Sequence, residues 1–528
     1  MILLRTATQS VAVADNRIVA VGPEAEALGI AEVVERPGFL LPAFGDGHAH
    51  PVLGGLERQG PAITVQSTVD GIVAEVGRWA RDNPGDGWIL AASYDPTLAP
   101  DGAFDARWLD AAVPDRPVAL RSRDYHAVWC NSIALQRAGI TADTPQPRLG
   151  RILRRPDGSP LGTLLEWHAC DLVLDLVPRR STAELVAALE EAGRVYSSVG
   201  VAWVQDAWVE PELVEAYLLA VDQERLLFRA DLAQRADPDR WREQLPAFAA
   251  QRERCRRHGR DLVTARTVKF FADGVIETGT ASMLEPYVDV HSHGMPVWSP
   301  AELAEAVTAF DAEGFQVHVH AIGDAAVRAA LDAVEHARAE NPAWDRRPVI
   351  AHAQVVDPAD RPRFAELGVI ATVQPQWAQT DAVMTELTIP RLGPERADRQ
   401  YPFATLARLG TRLAFGSDWP VSPADPLDGL RVATSREWLP GERLDVAQAI
   451  AAQTAGVAWQ AQAEHEWGEL AVGRRADIVC LNGDPEHTPL GDITVTDTWI
   501  SGRHIYAALT LGQEKDQHDK VRRSPSEE

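Results

Sequence analysis

The sequence predicts an α/β protein: a TIM-type (β/α)8 barrel carrying a small β-sandwich built from both chain ends and a subdomain inserted after the first barrel strand. Three observations predict it. Eight short apolar runs are spaced along the chain from about Gly38, most of them followed by a helix-like segment. Strand-like runs also occur at both ends, and a long Gly- and Pro-rich stretch interrupts the alternation near its start.

The apolar runs expected to form the barrel are Phe39–Pro42, Val201–Gln205, Leu227–Leu232, Thr267–Phe271, Gln316–His320, Val349–Ala351, Val369–Val373 and Arg412–Phe415. Helical patterns such as Asp324–Arg338 and Pro358–Glu366 follow them, so the strands should pair in parallel through crossovers. Residues 51–199 are too many for one crossover and hold strand candidates of their own, Trp88–Ala92 and Val118–Ser122. At the ends, Arg17–Val21, Ile478–Leu481 and Thr498–Ile500 suit a small β unit. The expected division is 1–43 plus 468–508 for the sandwich, 44–467 for the barrel, about 55–195 for the insertion and 512–528 for a disordered polar tail.

The 528 residues carry a net charge of -25, which argues against nucleic acid or an anionic membrane surface as partner. No apolar run is long enough for a membrane span, and the N-terminus does not read as a signal peptide. Cys130, Cys170, Cys255 and Cys480 are scattered, without the paired spacing of a thiolate zinc site, so a reducing cytoplasm is expected. Lysine is nearly absent: of 51 Lys plus Arg, only Lys269, Lys515 and Lys520 are lysines, and the last two lie in the tail. Lys269 sits in the apolar run TVKFF, where something requires an amine that arginine cannot supply.

Metal-type side chains recur where strands end. His48 and His50 are two residues apart in GDGHAH, so on a strand both imidazoles face the same side. His320 closes FQVHVH, His352 closes VIAH, and Asp418 follows RLAFGS. In a barrel these ends converge on one mouth, where active sites form. His318 shares the face of His320 but should lie one layer deeper. His291 and His293 form another H-x-H pair in a Gly- and Pro-flanked stretch, expected to be a mobile loop without strand context.

The ordered set H-x-H, Lys, His, His, Asp resembles the amidohydrolase superfamily. The phrases HAVWCNSIAL, VKFFADG, VHAIGDAAV, AHAQ, QPQW, GSDWP and GELAVGRRADIVCL resemble its amidohydrolase 3 branch, over nearly the whole chain. The resemblance implies a binuclear centre, with two Zn2+ expected. His48, His50 and Asp418 would bind one metal and His320 and His352 the other. A CO2-derived carbamate on Lys269 would bridge them. Carboxylation turns a cation into an anionic oxygen donor, which arginine, always protonated, cannot become. The implied reaction is hydrolysis of a C–N amide bond other than a peptide bond by a metal-activated hydroxide, with Asp418 as proton relay and an N-formyl or short N-acyl amine as the favoured small-molecule substrate.

His126, Asn131, Gln374, Trp377 and Trp419 are candidate substrate contacts, and Asp324 a candidate partner that orients His320. A homodimer is expected. Two alternatives stand beside this reading: hydrolysis of another ester, lactone or cyclic amidine on the same centre, and an inactive binding or regulatory protein that keeps the metal.

Overall fold

The computed structural model describes residues 1–508; the expected tail at 512–528 lies outside the described residues. Eight parallel strands form a nearly closed barrel: β1 (Phe44–Ala49), β2 (Val201–Val209), β3 (Arg229–Arg235), β4 (Val263–Phe271), β5 (Gln316–Ala321), β6 (Val349–His352), β7 (Ile370–Val373) and β8 (Leu413–Phe415), paired in that order. Past the ends of β8 and β1, Asp418 N–H donates to the His48 carbonyl at 2.7 Å, and Ser417 N–H donates to Asp46 Oδ1 at 2.9 Å. A side chain at Gly416 would meet the His48 backbone N at 2.6 Å, so this seam requires glycine.

Helices cover the barrel as crossovers. Thr182–Ser198 leads into β2 and Pro300–Ala312 into β5, each opened by a capping box, Ser181 with Glu184 and Ser299 with Glu302. Asp324–Glu340 returns the chain from β5 to β6 and turns Ala326, Val327, Ala330, Leu331 and Val334 inward. Strand boundaries differ from the expected ones by a few residues, as in β4, which begins four residues earlier.

The first strand is a correction. Phe39–Pro42 is not in the barrel; it pairs antiparallel with Ile478–Leu481 in a flanking sheet, and β1 is the segment after it. Its two glycines, Gly45 and Gly47, serve close packing. A Cβ on Gly45 would lie 2.5 Å from the Trp467 ring, and one on Gly47 would lie 3.0 Å from the Phe415 carbonyl.

Two four-stranded sheets flank the barrel. One holds Arg17–Val21, Ser10–Ala14, Ile2–Arg5 and Val33–Glu35; the other holds Arg503–Ala507, Val495–Ile500, Ile478–Leu481 and Phe39–Pro42. They share a core that includes Leu4, Val11, Ile18, Leu40, Ile478 and Trp499. Between β1 and β2 the chain builds a five-stranded sheet from Ile89–Tyr94, Val118–Ser122, Ala127–Cys130, Arg151–Arg154 and Pro160–Leu165. Among the described residues no helix is long and apolar enough to cross a membrane, and all four cysteines are buried and free.

Candidate metal centre

The C-terminal ends of the strands bring six of the sequence-predicted residues to one place. His48 lies in β1 and His50 just past it, both buried. Lys269 in β4 pairs in register with His318 in β5, and Phe271 with His320 two residues on. His352 ends β6, and Asp418 follows β8 at φ 56. His352 is also in the left-handed region, at φ 73. For residues with a Cβ that conformation is strained, and such strain collects where a turn must aim a side chain.

Asp418 Oδ1 lies 3.0 Å from His50 Nε2 and 3.5 Å from His48 Nε2. Neither contact meets hydrogen-bond geometry, and the oxygen is buried without a partner, as is His50 Nδ1. The donor atoms of His48, His50 and Asp418 lie within 4.8 Å of one another. Zinc bonds of about 2.0–2.2 Å at tetrahedral angles hold ligand atoms roughly 3.3–3.6 Å apart. The three groups therefore face a common point rather than each other, which fits a divalent cation. Lys269 Nζ is 3.3 Å from His48 Nε2 and fully buried. The His48 and His352 rings are 4.7 Å apart, and those of His352 and His320 4.5 Å.

Burial sets the charge states. It pushes His48, His318 and His320 well below the usual imidazole range and His352 down to about 3, with Lys269 deepening the effect. The rings are therefore neutral at pH 7 and keep a lone pair to offer. Burial also lowers Lys269 to about 7 and raises Asp46 to about 7 and Asp206 to about 6.

A second layer orients the rings. His48 Nδ1 hydrogen-bonds His318 Nε2 at 2.8 Å, so His318 does lie beneath the site, as a partner of His48. His352 Nδ1 bonds Gln374 Oε1 at 2.9 Å. His320 Nε2 bonds the Gly274 carbonyl at 3.2 Å and lies 3.5 Å from Asp273 Oδ1. These bonds leave His352 Nε2 and His320 Nδ1 for a ligand.

Three expectations are corrected here. Asp324 does not orient His320: its carboxylate accepts the Leu284 N–H at 2.8 Å. Asp273 takes that place, itself fixed by the N–H groups of Ser282, Ile322 and Gly323. Gln374 stands behind His352 and lines neither cavity of the site. Asn131 also lines neither; its side chain accepts from Val118 and Ala134 and donates to Val113 and Arg116 backbone groups, bracing the inserted sheet.

The remaining candidates face the site. Trp377 stacks on His352 at 5.1 Å and 5°, and Trp419 borders the outer cavity. His126 reaches in from the insertion, with Nδ1 2.8 Å from Glu166 Oε2. Burial opposes charge on His126, but the Glu166 carboxylate outweighs it and holds the ring up at about 9. His291 is exposed, and His293 bonds the Met283 carbonyl at 3.0 Å; neither lines either cavity. Asp273, Glu166, Asp206 and Trp208 are not among the residues the sequence singles out. Asp273 and Trp208 carry a usable signal, because they lie at the C-terminal ends of barrel strands.

The donor set lines a small inner cavity of about 40 Å³. Past Asp124, Val275, Trp377 and Val421 it meets an outer cavity of about 780 Å³, which Trp377, Trp419, Met384 and Tyr401 help to line. That volume suits a drug-sized molecule.

Comparison with known proteins places the chain in a family. The model of the amidohydrolase family matches residues 38–506. The chain is 31% identical to the protein LONG AFTER FAR-RED 3 of Arabidopsis thaliana, over 94% of this chain and 88% of that one. It is 25% identical to the N-substituted formamide deformylase of Arthrobacter pascens, over 94% of each. Among solved structures, an uncharacterized metal-dependent hydrolase from Pyrococcus furiosus superposes with a TM-score of 0.70 at 25% identity, covering 92% of this chain and 98% of that one.

Proposed function

The chain belongs to the amidohydrolase family, and on that premise we propose that it is a metal-dependent hydrolase of a C–N amide bond that removes an N-formyl or short N-acyl group from an amine. The observation that carries this is the convergence of His48, His50 and Asp418 around one point, with an unpartnered Asp418 oxygen and with Lys269, His320 and His352 beside it. His48, His50 and Asp418 would hold one zinc ion and His320 and His352 a second, with a carboxylated Lys269 between them. Zinc bound there supplies a Lewis acid and lowers the pKa of water toward neutrality.

The chain's own residues do the rest. Asp418 takes a proton from the attacking water and hands it to the leaving nitrogen. Water oxygen joins the carbonyl carbon, the C–N bond breaks, and nitrogen leaves with the proton, giving a carboxylic acid and an amine. Trp377 and His126 flank the reacting group, and Trp208 and Phe271 exclude bulk water from the inner cavity. The choice of a formyl or short acyl group is supported by the deformylase relative and by the small size of that cavity. The acidic surface and the buried thiols support a cytoplasmic enzyme that acts on small molecules rather than nucleic acid.

The test is amine release by the zinc-loaded protein from N-formyl and N-acetyl amines, dipeptides and cyclic amides, with lactones and phosphoesters scored in parallel. Amine release from the N-formyl amines, with or without the N-acetyl ones, is expected. Full metal content with turnover of lactones or phosphoesters alone would overturn it.

A further inference from the structure

Three aromatic rings close one side of the inner cavity. Trp208 lies near the end of β2, Phe271 ends β4, and Trp167 begins the helix Trp167–Leu174 of the insertion. Ring centroids are 4.9 Å apart for Trp167–Trp208, 4.6 Å for Trp167–Phe271 and 5.3 Å for Trp208–Phe271. Trp208 is fixed from behind. Its Nε1–H donates to Glu210 Oε1 at 3.1 Å, Arg235 donates to the same oxygen at 2.6 Å, and the Arg235 guanidinium lies 6.0 Å from the indole centroid. A ring held by a hydrogen bond and a cation–π contact yields little to a larger ligand.

The opposite side is open. In an eight-stranded barrel β4 and β8 face each other across the axis. Asp418 follows β8, and Trp419 and Val421 beyond it border the outer cavity. If Asp418 delivers the proton to the leaving nitrogen, that nitrogen lies on the β8 side and its substituent extends into the outer cavity. The other arm of the carbonyl carbon then points at the aromatic wall. An inner cavity of about 40 Å³ holds roughly three water-sized groups at ~10–15 Å³ each, room for a reacting carbonyl and little beyond it.

Resting on the amide-hydrolase reading, we infer that Trp167, Trp208 and Phe271 form a selectivity wall that admits only hydrogen on the carbonyl carbon. The substrates are N-formyl amines, and the amine carries a large, largely apolar body that occupies the outer cavity. The wall sets acyl size, while Trp377, Trp419, Met384 and Tyr401 accept the amine.

The test uses a series of uncleaved metal-binding ligands that differ only on the acyl side: N-benzyl-N-hydroxyformamide, its N-acetyl counterpart and its N-benzoyl counterpart. Each is titrated calorimetrically into zinc-loaded wild type, Trp208→Ala and Trp208→Phe, with metal content measured in every sample. In wild type, the added methyl should weaken binding roughly 10- to 200-fold, and the benzoyl ligand should not bind measurably. Trp208→Ala should bring the acetyl ligand to within about threefold of the formyl one, which removes most of that discrimination. Trp208→Phe should fall between, and serves if the alanine variant does not fold. Benzoyl binding to wild type as tight as formyl, or an unchanged formyl-to-acetyl ratio in a Trp208 variant with full metal, overturns the wall. Turnover of the matching N-benzyl amides separates the two claims. Ligand discrimination without hydrolysis of the formamide keeps the wall and refutes the amide reading. Equal kcat/KM for formyl, acetyl and benzoyl amides keeps the amide reading and refutes the wall.

Discussion

Replacing Lys269 by methionine separates the two roles open to the only lysine of the barrel. The side chain is fully buried, with Nζ 3.3 Å from His48 Nε2 and 4.7 Å from the Phe271 ring centroid. Methionine is unbranched and of similar length, so the packing of the stem is kept at a repacking cost below about 1.5 kcal/mol. Burial holds the amine at about 7 against an ordinary 10.5. Keeping an amine so far below its ordinary value costs the native state on the order of a few kcal/mol at neutral pH. Methionine removes that cost, so the metal-free variant should be at least as stable as wild type.

The metal-loaded protein should behave oppositely. Removing only the partner of a metal ligand costs about 10–100-fold in affinity or activity, so loss of a bridging ligand should cost at least 100-fold in kcat/KM, about 2.7 kcal/mol. Calorimetric melting of metal-free samples gives the first quantity, and elemental analysis after desalting with steady-state kinetics gives the second. Intact mass under native conditions should show the mass of one CO2 on wild type and not on the variant. A variant that melts higher, keeps wild-type metal content and keeps kcat would show that Lys269 is an ordinary strand lysine and that no carbamate bridge exists.

Asp418→Asn should lower kcat by about 10²–10⁴ while the circular dichroism spectrum stays native; an unchanged kcat would remove Asp418 from the proton relay. Gln374→Leu deprives His352 of its acceptor and should weaken metal binding by about 10–100-fold in a chelator competition. Asp273→Asn should weaken metal binding in the same assay, whereas Asp324→Asn should not, because Asp324 braces Leu284 rather than a ligand; the reverse ranking would restore Asp324. Glu166 holds His126 at about 9 against an ordinary 6.5. The folded value is raised, so this stabilisation is complete below pH 6.5 and is lost as pH rises to about 9, an effect on the order of 3 kcal/mol. Urea melts of metal-free wild type at pH 6 and 9 should show that loss, and Glu166→Gln should not; equal pH dependence in the two would refute the pairing.

The candidate donor set was legible in the sequence because its six members lie at the ends of five strands, where the period of two and the strand end fix their direction from local spacing alone. His48 and His50 needed only that alternation, and Lys269 stood out by composition. What local spacing does not encode depends on contacts between strands. Asp273 reaches His320 from the loop that follows the neighbouring strand, and its carboxylate is fixed by N–H groups from residues 282, 322 and 323. No spacing rule links those positions, while Asp324, at the head of the next helix, matched one. Phe39–Pro42 reads as the first barrel strand from sequence alone because it is apolar. The true β1 hides behind Gly45 and Gly47, whose bare backbones are demanded by Trp467 and Phe415, hundreds of residues away. Glu166 and His126 are likewise joined across the inserted sheet, and Trp208 enters the wall through Trp167 and Phe271. The candidate metal donors are thus encoded strand by strand, whereas the groups that aim them and bound the cavity are encoded in pairs across strands and units. A relative that keeps all six donors but changes Trp208, Trp167 or Phe271 should therefore keep the metal and accept a different acyl group.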